Sequence, residues 1–270
     1  MENLAHHIAI SHEVPALLME ESRVFNDFDY ALVHLFETRP AYYDFFVESL
    51  SRGRAVVLDN SVFELGTPFD PDRYLYWIEK LRPTYAIIPD KFGDADFTIE
   101  EVEKWVPKLK TLGVKSMGAI QGSTMDELVR CYDAIADQVD RIAISFAQPA
   151  YAKAFPLLST DQARIYGRHL LINTLEHYGT IRKSKPHHLL GLSLPQEMKL
   201  YRQSGFSFIT SVDSSSPIVH GLHSIEYTND GLEEKLKIKL ADLFDCPMSL
   251  INDSMDCILH NINVFRNFTR

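Results

Sequence analysis

A chain of 270 residues, 46% hydrophobic and 24% charged, is long enough to bury one large α/β barrel or two small domains. No apolar run reaches membrane-spanning length, and the opening MENLAHHIAI lacks the basic start and apolar core of a signal peptide, so the expected location is the cytoplasm. A formal net charge of -10 argues against a protein that coats nucleic acid nonspecifically through Lys and Arg, and three scattered cysteines, Cys131, Cys246 and Cys257, exclude a disulfide framework.

In chain order, short apolar runs alternate with longer amphipathic ones. Eight runs read as strands, at 7–11, 30–36, 55–58, 85–89, 116–121, 141–146, 188–192 and 206–212. Eight is the number that closes a (β/α) barrel. Helices are expected between them at 39–52, 70–81, 98–112, 124–139, 160–177 and 195–204. Asp70 before Pro71 reads as an N-cap with proline at the first helical position, and Gly113 and Gly205 read as helix stops. The first crossover, 13–29, has room for little more than two helical turns. Beyond Val212 a loop is expected at 214–217, with Gly221 and Gly231 as punctuation and helices at 232–244 and 248–268. No linker or repeat divides the chain. The expectation is one domain over 1–270, an α/β protein built as a (β/α)8 TIM barrel with a helical cap over about 225–270.

Active sites of such barrels lie at the C-terminal ends of the strands, so the strand tips belong together. The third run ends in Asp59, Asn60 and Ser61, with Phe63 two residues on. The fourth ends in Pro89 and Asp90, the fifth in Gln121 and Gly122, the seventh in Leu190 and Gly191, and the eighth in Asp213. Each residue has a plainer reading. Asp after a strand commonly caps the next helix or holds a loop, Gln121 can bond loop backbone, and a phenylalanine is more often core than platform. Three acids and one glutamine at separate tips are a set that a packing core has no use for.

Other candidates stand apart from the tips. Cys257 and His260 share a helical face and with Cys246 offer at most part of a zinc site, which wants four close ligands, so no metal is expected. His187 and His188 are adjacent and would face opposite sides of a strand. Arg182, Lys183 and Lys185 form one local basic run and 266–270 another; such runs are usually solvated ends and only sometimes nucleic-acid contacts.

The segments VVLDNSVFELG (56–66), AIIPD (86–90), GAIQGS (118–123), HLLGLS (188–193) and SVDSSSP (211–217) resemble, in order and spacing, motifs of the tRNA-guanine transglycosylase superfamily. The likeness covers strands three to eight. The chain departs from the tRNA-acting enzymes in lacking their Cys-x-Cys-x-x-Cys cluster and zinc subdomain, and from archaeal members in lacking C-terminal RNA-binding domains. In this it resembles the phage and viral branch, the DpdA family, which exchanges guanine in DNA for a 7-deazaguanine base of the preQ0 type; the cytoplasm would then be the host's.

The resemblance implies a role for each tip residue. Asp213 would be the nucleophile that holds the sugar while guanine departs, and Asp59 would shuttle the proton; a second acid beside Asp213 tends to raise one of the two pKa values. Asp90 would accept from the N1 and N2 donors of the base and Gln121 would donate to O6. Gly122 would add a backbone donor, Phe63 a stacking face, and Leu190 and Gly191 a wall of little bulk. The sixth tip, Ile144 to Ala147, lacks the glycines of the tRNA enzymes, which leaves the pocket near position 7 of the base open. The target guanine must be flipped out or single-stranded. His220 and His223, in SPIVHGLHS, together with Lys183 and Lys185, are the candidate contacts to the DNA backbone. No cofactor is implied. The alternatives are a tRNA-guanine transglycosylase, a noncatalytic nucleobase-binding or partner barrel of the same superfamily, and an unrelated carboxylate-metal hydrolase, against which no His-x-His strand motif is present.

Overall fold

The computed structural model describes residues 7–202 and 204–270. The first six residues of the opening segment, and Gln203 near the end of the expected helix 195–204, lie outside the described residues.

Eight parallel strands form one sheet in sequential order: β1 Ala9–Ser11, β2 Asp29–Leu32, β3 Val56–Asp59, β4 Tyr85–Ile87, β5 Lys115–Ile120, β6 Arg141–Ser145, β7 His187–Leu190 and β8 Ile209–Asp213. β1 pairs with β8, which curls the sheet into a nearly closed (β/α)8 barrel. The seam between β1 and β2 is bridged from the chain just before β2. Asp27 N donates to Ile10 O at 2.8 Å, Ile10 N to Asp27 Oδ2 at 2.8 Å, and His12 N to Asn26 Oδ1 at 2.7 Å. Runs such as Val56–Asp59 are buried throughout, as both faces of a barrel strand require.

The helices are α1 Met19–Phe25, α2 Val33–Phe36, α3 Pro40–Ser51, α4 Val62–Leu65, α5 Pro71–Leu81, α6 Ala95–Thr111, α7 Met125–Ile135, α8 Pro149–Ala154, α9 Thr160–His177, α10 Ser216–Leu222 and α11 Met248–Phe268. Their starts follow local chemistry: Asp70, Asp94, Thr124 and Ser159 each accept a hydrogen bond from a backbone N–H in the first turn that follows. Gly113, at φ +68°, ends the α6 turn as expected. A large apolar layer lies between strands and helices, while Phe28, Tyr30, Leu32, Val57, Ile87, Met117, Ala119 and Ala143 fill a second cluster from the inward-facing side of the strands.

Several expected boundaries are corrected. The run 30–36 is strand only to Leu32 and then turns as α2, because β3, its pairing partner, ends opposite at Asp59. The run 206–212 is strand only from Ile209; Ser204–Phe206 is a 3-10 turn, and Gly205 within it stops no α-helix. The stretch Pro195–Tyr201 is 3-10 rather than α-helical. The expected loop 214–217 runs into α10, with Pro217 in its first turn, and Gly221 lies inside that helix.

The largest correction is 232–244, where only Leu240–Leu243 is helical, as one 3-10 turn. The backbone N–H groups of Leu232, Lys235 and Leu236 donate to side chains of Gln196, Asp161 and His220, so helical carbonyls have no claim on them. The cap is therefore an irregular strap followed by the long helix α11. Among the described residues, no helix is long and apolar enough to cross a membrane.

Candidate active site

The C-terminal ends of the strands surround a cavity of about 670 Å³. Its lining includes Asp59, Phe63, Asp90, Gln121, Leu190, Gly191 and Asp213. The volume lies within the ~300–1,000 Å³ of ordinary small-molecule sites. No protein-family model matches this chain, and no curated protein does either. Its chemistry is therefore read from the geometry.

Asp213 ends β8, and its two oxygens are treated differently. Oδ1 accepts from His188 Nε2 at 2.8 Å and from Gly191 N at 2.9 Å, whereas Oδ2 accepts no hydrogen bond among the described residues. The tautomer of His188 follows from its partners. A carboxylate oxygen accepts, so Nε2 carries the proton and Nδ1 takes the hydroxyl of Ser211 at 2.8 Å. Ser211 Oγ in turn accepts from Arg141 at 3.1 Å. Burial holds the His188 pKa below its usual value against the opposing pull of Asp213, so the ring stays a neutral donor. One carboxylate oxygen is thus clamped, and the other is left without a donor.

Asp59 ends β3. Its Oδ1 accepts from Ser61 N at 2.5 Å, and its Oδ2 from the Tyr30 hydroxyl. Burial first, and then the nearby Glu64 carboxylate, push its pKa well above the carboxylate range. Ser61 reaches back to Asp59 by adopting a left-handed φ of +61°, which non-glycine residues seldom take outside functional turns. Tyr30 also stacks on His188 with ring centroids 6.2 Å apart, so the supports of the two acids touch on the barrel floor.

Asp90 and Gln121 form one unit. Gln121 Nε2 donates to Asp90 Oδ2 at 2.5 Å, Asn60 Nδ2 donates to Asp90 Oδ1 at 2.7 Å, and Gln121 Oε1 accepts from Gly93 N and Gln148 Nε2. Each Asp90 oxygen keeps a second lone pair and the Gln121 amide keeps a second hydrogen. Burial raises the Asp90 pKa to about 6.

Gly191 is required twice over. Its φ is +66°, and an added Cβ would lie 2.6 Å from the Phe146 ring. Phe63, 54% exposed on α4, sits 5.5 Å from Phe146 by ring centroid, which makes a two-ring wall at the mouth.

The remaining candidates are committed to other contacts, His220 among them although it borders the cavity. Gly122 does not line the cavity; a Cβ there would lie 2.7 Å from Leu128 N, so its smallness serves packing on α7. His220 is buried, with Nδ1 donating to Ser216 O and Nε2 accepting from Leu236 N, so neither ring nitrogen is left for a phosphate. His223 donates to Val219 O and stands outside the cavity lining. Lys183 pairs with Glu176 and Lys185 donates to Val139 O, both just before β7 begins and so at the barrel end opposite the site. His187 points outward to the Tyr132 hydroxyl at 2.9 Å. His260 donates to Tyr227 O, and no group of three His, Cys, Asp or Glu among the described residues has the arrangement of a metal site.

The reading of the tips did not single out Tyr30, His188, Glu13, Glu64 or Lys235, all of which line or support the cavity. Alternation was the available signal for two of them. His188 shares a strand face with Leu190, and Tyr30 with Leu32. Glu13 stands two residues past β1, at the same end of the barrel as Asp59 and Asp213, the last residues of β3 and β8. Burial, reinforced by Asp213, Glu64 and Asp59, pushes its carboxyl well above the usual range.

Proposed function

We propose that this chain is a base-exchange transglycosylase that replaces guanine in DNA with a 7-deazaguanine through a covalent aspartyl-sugar intermediate. The observation that carries the reading is Asp213. A carboxylate with one oxygen fixed by His188 and Gly191 and the other unpartnered, beside a second acid whose pKa is raised, is the division of labour that a two-step displacement at C1′ needs.

In the first step Asp213 Oδ2 attacks C1′ of a flipped-out deoxyguanosine as the C1′–N9 bond breaks, and protonated Asp59 gives its proton to the departing guanine. In the second, the Asp59 carboxylate takes the N9 proton of the incoming 7-deazaguanine. N9 then attacks C1′ and the ester to Asp213 breaks. Two inversions restore the original configuration, and Asp59 ends protonated as it began. Asp90 would accept from N1–H and N2–H of either base, the free hydrogen of Gln121 would donate to O6, and the Phe63–Phe146 wall offers a stacking face.

The test is a denaturing gel of the protein with labelled guanine-containing DNA in the absence of incoming base, run beside the same assay with tRNA. Wild type should give a denaturant-resistant band with DNA, and Asp213→Asn, which keeps the shape and loses the charge, should give none. A band at wild-type level in Asp213→Asn assigns the nucleophile elsewhere. A band with tRNA alone makes this a tRNA enzyme, and no band with either favours a noncatalytic barrel.

A further inference from the structure

The strap over the cavity reads Leu-Glu-Glu-Lys-Leu-Lys-Ile-Lys-Leu across 232–240. Its alternation has a structural meaning. All of 235–240 borders the cavity that holds Asp213; Leu236, Ile238 and Leu240 also pack on the apolar core, whereas Lys237 and Lys239 are exposed to solvent and Lys235 is half-buried. None of the three ammonium groups is ion-paired to a carboxylate among the described residues, and Lys237 makes no hydrogen bond there either. Lys235 Nζ stands 4.6 Å from the Phe146 ring centroid, with Arg164 Cζ 5.0 Å from the same ring, and Lys239 Nζ stands 5.5 Å from the Phe63 ring.

The charges facing the strap are known. Asp161 takes Lys235 N and a long 3.8 Å contact from Arg164; Lys239 reaches the Glu64 carbonyl at 3.5 Å; Glu13 and Asp213 lie within the electrostatic field of Lys235. Burial lowers the Lys235 pKa to about 8, which still leaves it mostly charged at neutral pH. In a chain of net charge -10, three lysines with no carboxylate in contact among the described residues lie along one strap of an acidic cavity, two of them against the Phe146 and Phe63 rings. Lys235 and Lys239 pull the carboxyl pKa values of Glu13 and Glu64 down through space, yet no ammonium group of the strap touches a carboxylate among the described residues, and Lys237 and Lys239 stay exposed. Exposed ammonium groups beside the aromatic wall suit a polyanion that lays one ring on that wall.

We propose that Lys235, Lys237 and Lys239 form a phosphate-binding rim that tracks the backbone of single-stranded nucleic acid on either side of the nucleotide entering the cavity. This rests on the base-exchange reading, since the entering nucleotide is the one whose C1′ meets Asp213.

The test is fluorescence anisotropy with a labelled single-stranded oligodeoxynucleotide containing one guanine, and with RNA of the same sequence, over a range of salt. Wild type is compared with K237Q/K239Q, K235Q/K237Q/K239Q and K183Q/K185Q, with thermal melting as the check on folding. Each lost phosphate contact should flatten the slope of log K against log salt by about 0.7, so the double variant loses about 1.4 and the triple about 2. Affinity at low salt should fall at least tenfold in the triple variant, and K183Q/K185Q should keep the wild-type slope. The double variant, which changes only exposed lysines, keeps the test open if loss of the Lys235 bond to Leu192 O harms folding. The DNA and RNA arms identify the source of the phosphates by the tighter complex.

Wild-type affinity and slope in both strap variants overturn the rim, as does an equal loss in K183Q/K185Q or a wild type that binds neither strand. Adduct formation is scored separately. Salt-dependent binding lost in the strap variants, with no adduct in wild type, rejects base exchange and keeps the rim. An adduct with unchanged slopes does the reverse.

Discussion

Asp90 shows how much one buried carboxyl is perturbed by its place in the barrel. Two amide donors, Asn60 and Gln121, favour its charged form, yet burial outweighs them and carries the pKa from 3.8 to about 6. A folded-state pKa above the unfolded value means that the folded protein binds this proton more tightly. The contribution is therefore fully present below pH ~4 and is lost as pH rises through ~6. About two pKa units correspond to about 3 kcal/mol. Asp90→Asn has no such titration, so its stability relative to wild type should improve by up to that amount between pH 4 and pH 7. Urea melts of both proteins at the two pH values measure the difference, and a constant gap would show that Asp90 is not perturbed in this way.

At the level of elements, the cap depends on a close crossing of two helices. A Cβ on Gly221 in α10 would fall 2.5 Å from Ile258 Cγ1 and 2.7 Å from Ile258 Cα in α11. The side-chain atom can rotate away, but the backbone atom cannot. Replacing glycine within a helix gains roughly 0.5–1 kcal/mol of propensity, while forced overpacking costs about 1–3 kcal/mol, so the clash should win. We expect Gly221→Ala to be destabilised by about 1 kcal/mol net, and Gly205→Ala, which meets nothing within 4 Å, to be near neutral. Thermal melting compares them, and a Gly221→Ala protein as stable as wild type would mean that the helices separate freely.

For the molecule as a whole, the thiols take no part in a shared ligand cluster among the described residues. Cys246 is buried, Cys257 is half-buried on α11, and His260 is committed to Tyr227 O. The fold is held by barrel packing and by buried polar links such as Arg168, whose guanidinium bonds Glu197 at 2.7 Å and the carbonyls of Ile144 and Gly191 at the site's edge. A chelator should therefore leave the melting temperature unchanged, and purified protein should carry no stoichiometric zinc. Zinc lost together with folding on chelation would contradict this.

Features that depend on near neighbours were legible in the order of residues. Apolar runs marked all eight strands, and amphipathic periodicity placed α9 and α11 at Thr160–His177 and Met248–Phe268, because those signals are written within one element. The tip residues were legible for the same reason, since each stands where its own apolar run stops. Which side chains face each other depends on strand pairing across the fold. His188 meets Asp213 because β7 pairs with β8, and Tyr30 meets Asp59 because β2 pairs with β3; curling of the sheet into a barrel then brings Tyr30 against His188. The strap at 232–244 was misread as helix for a related reason. Its N–H groups are satisfied by Gln196, Asp161 and His220, partners distant in sequence that exist as a surface only once the barrel has closed.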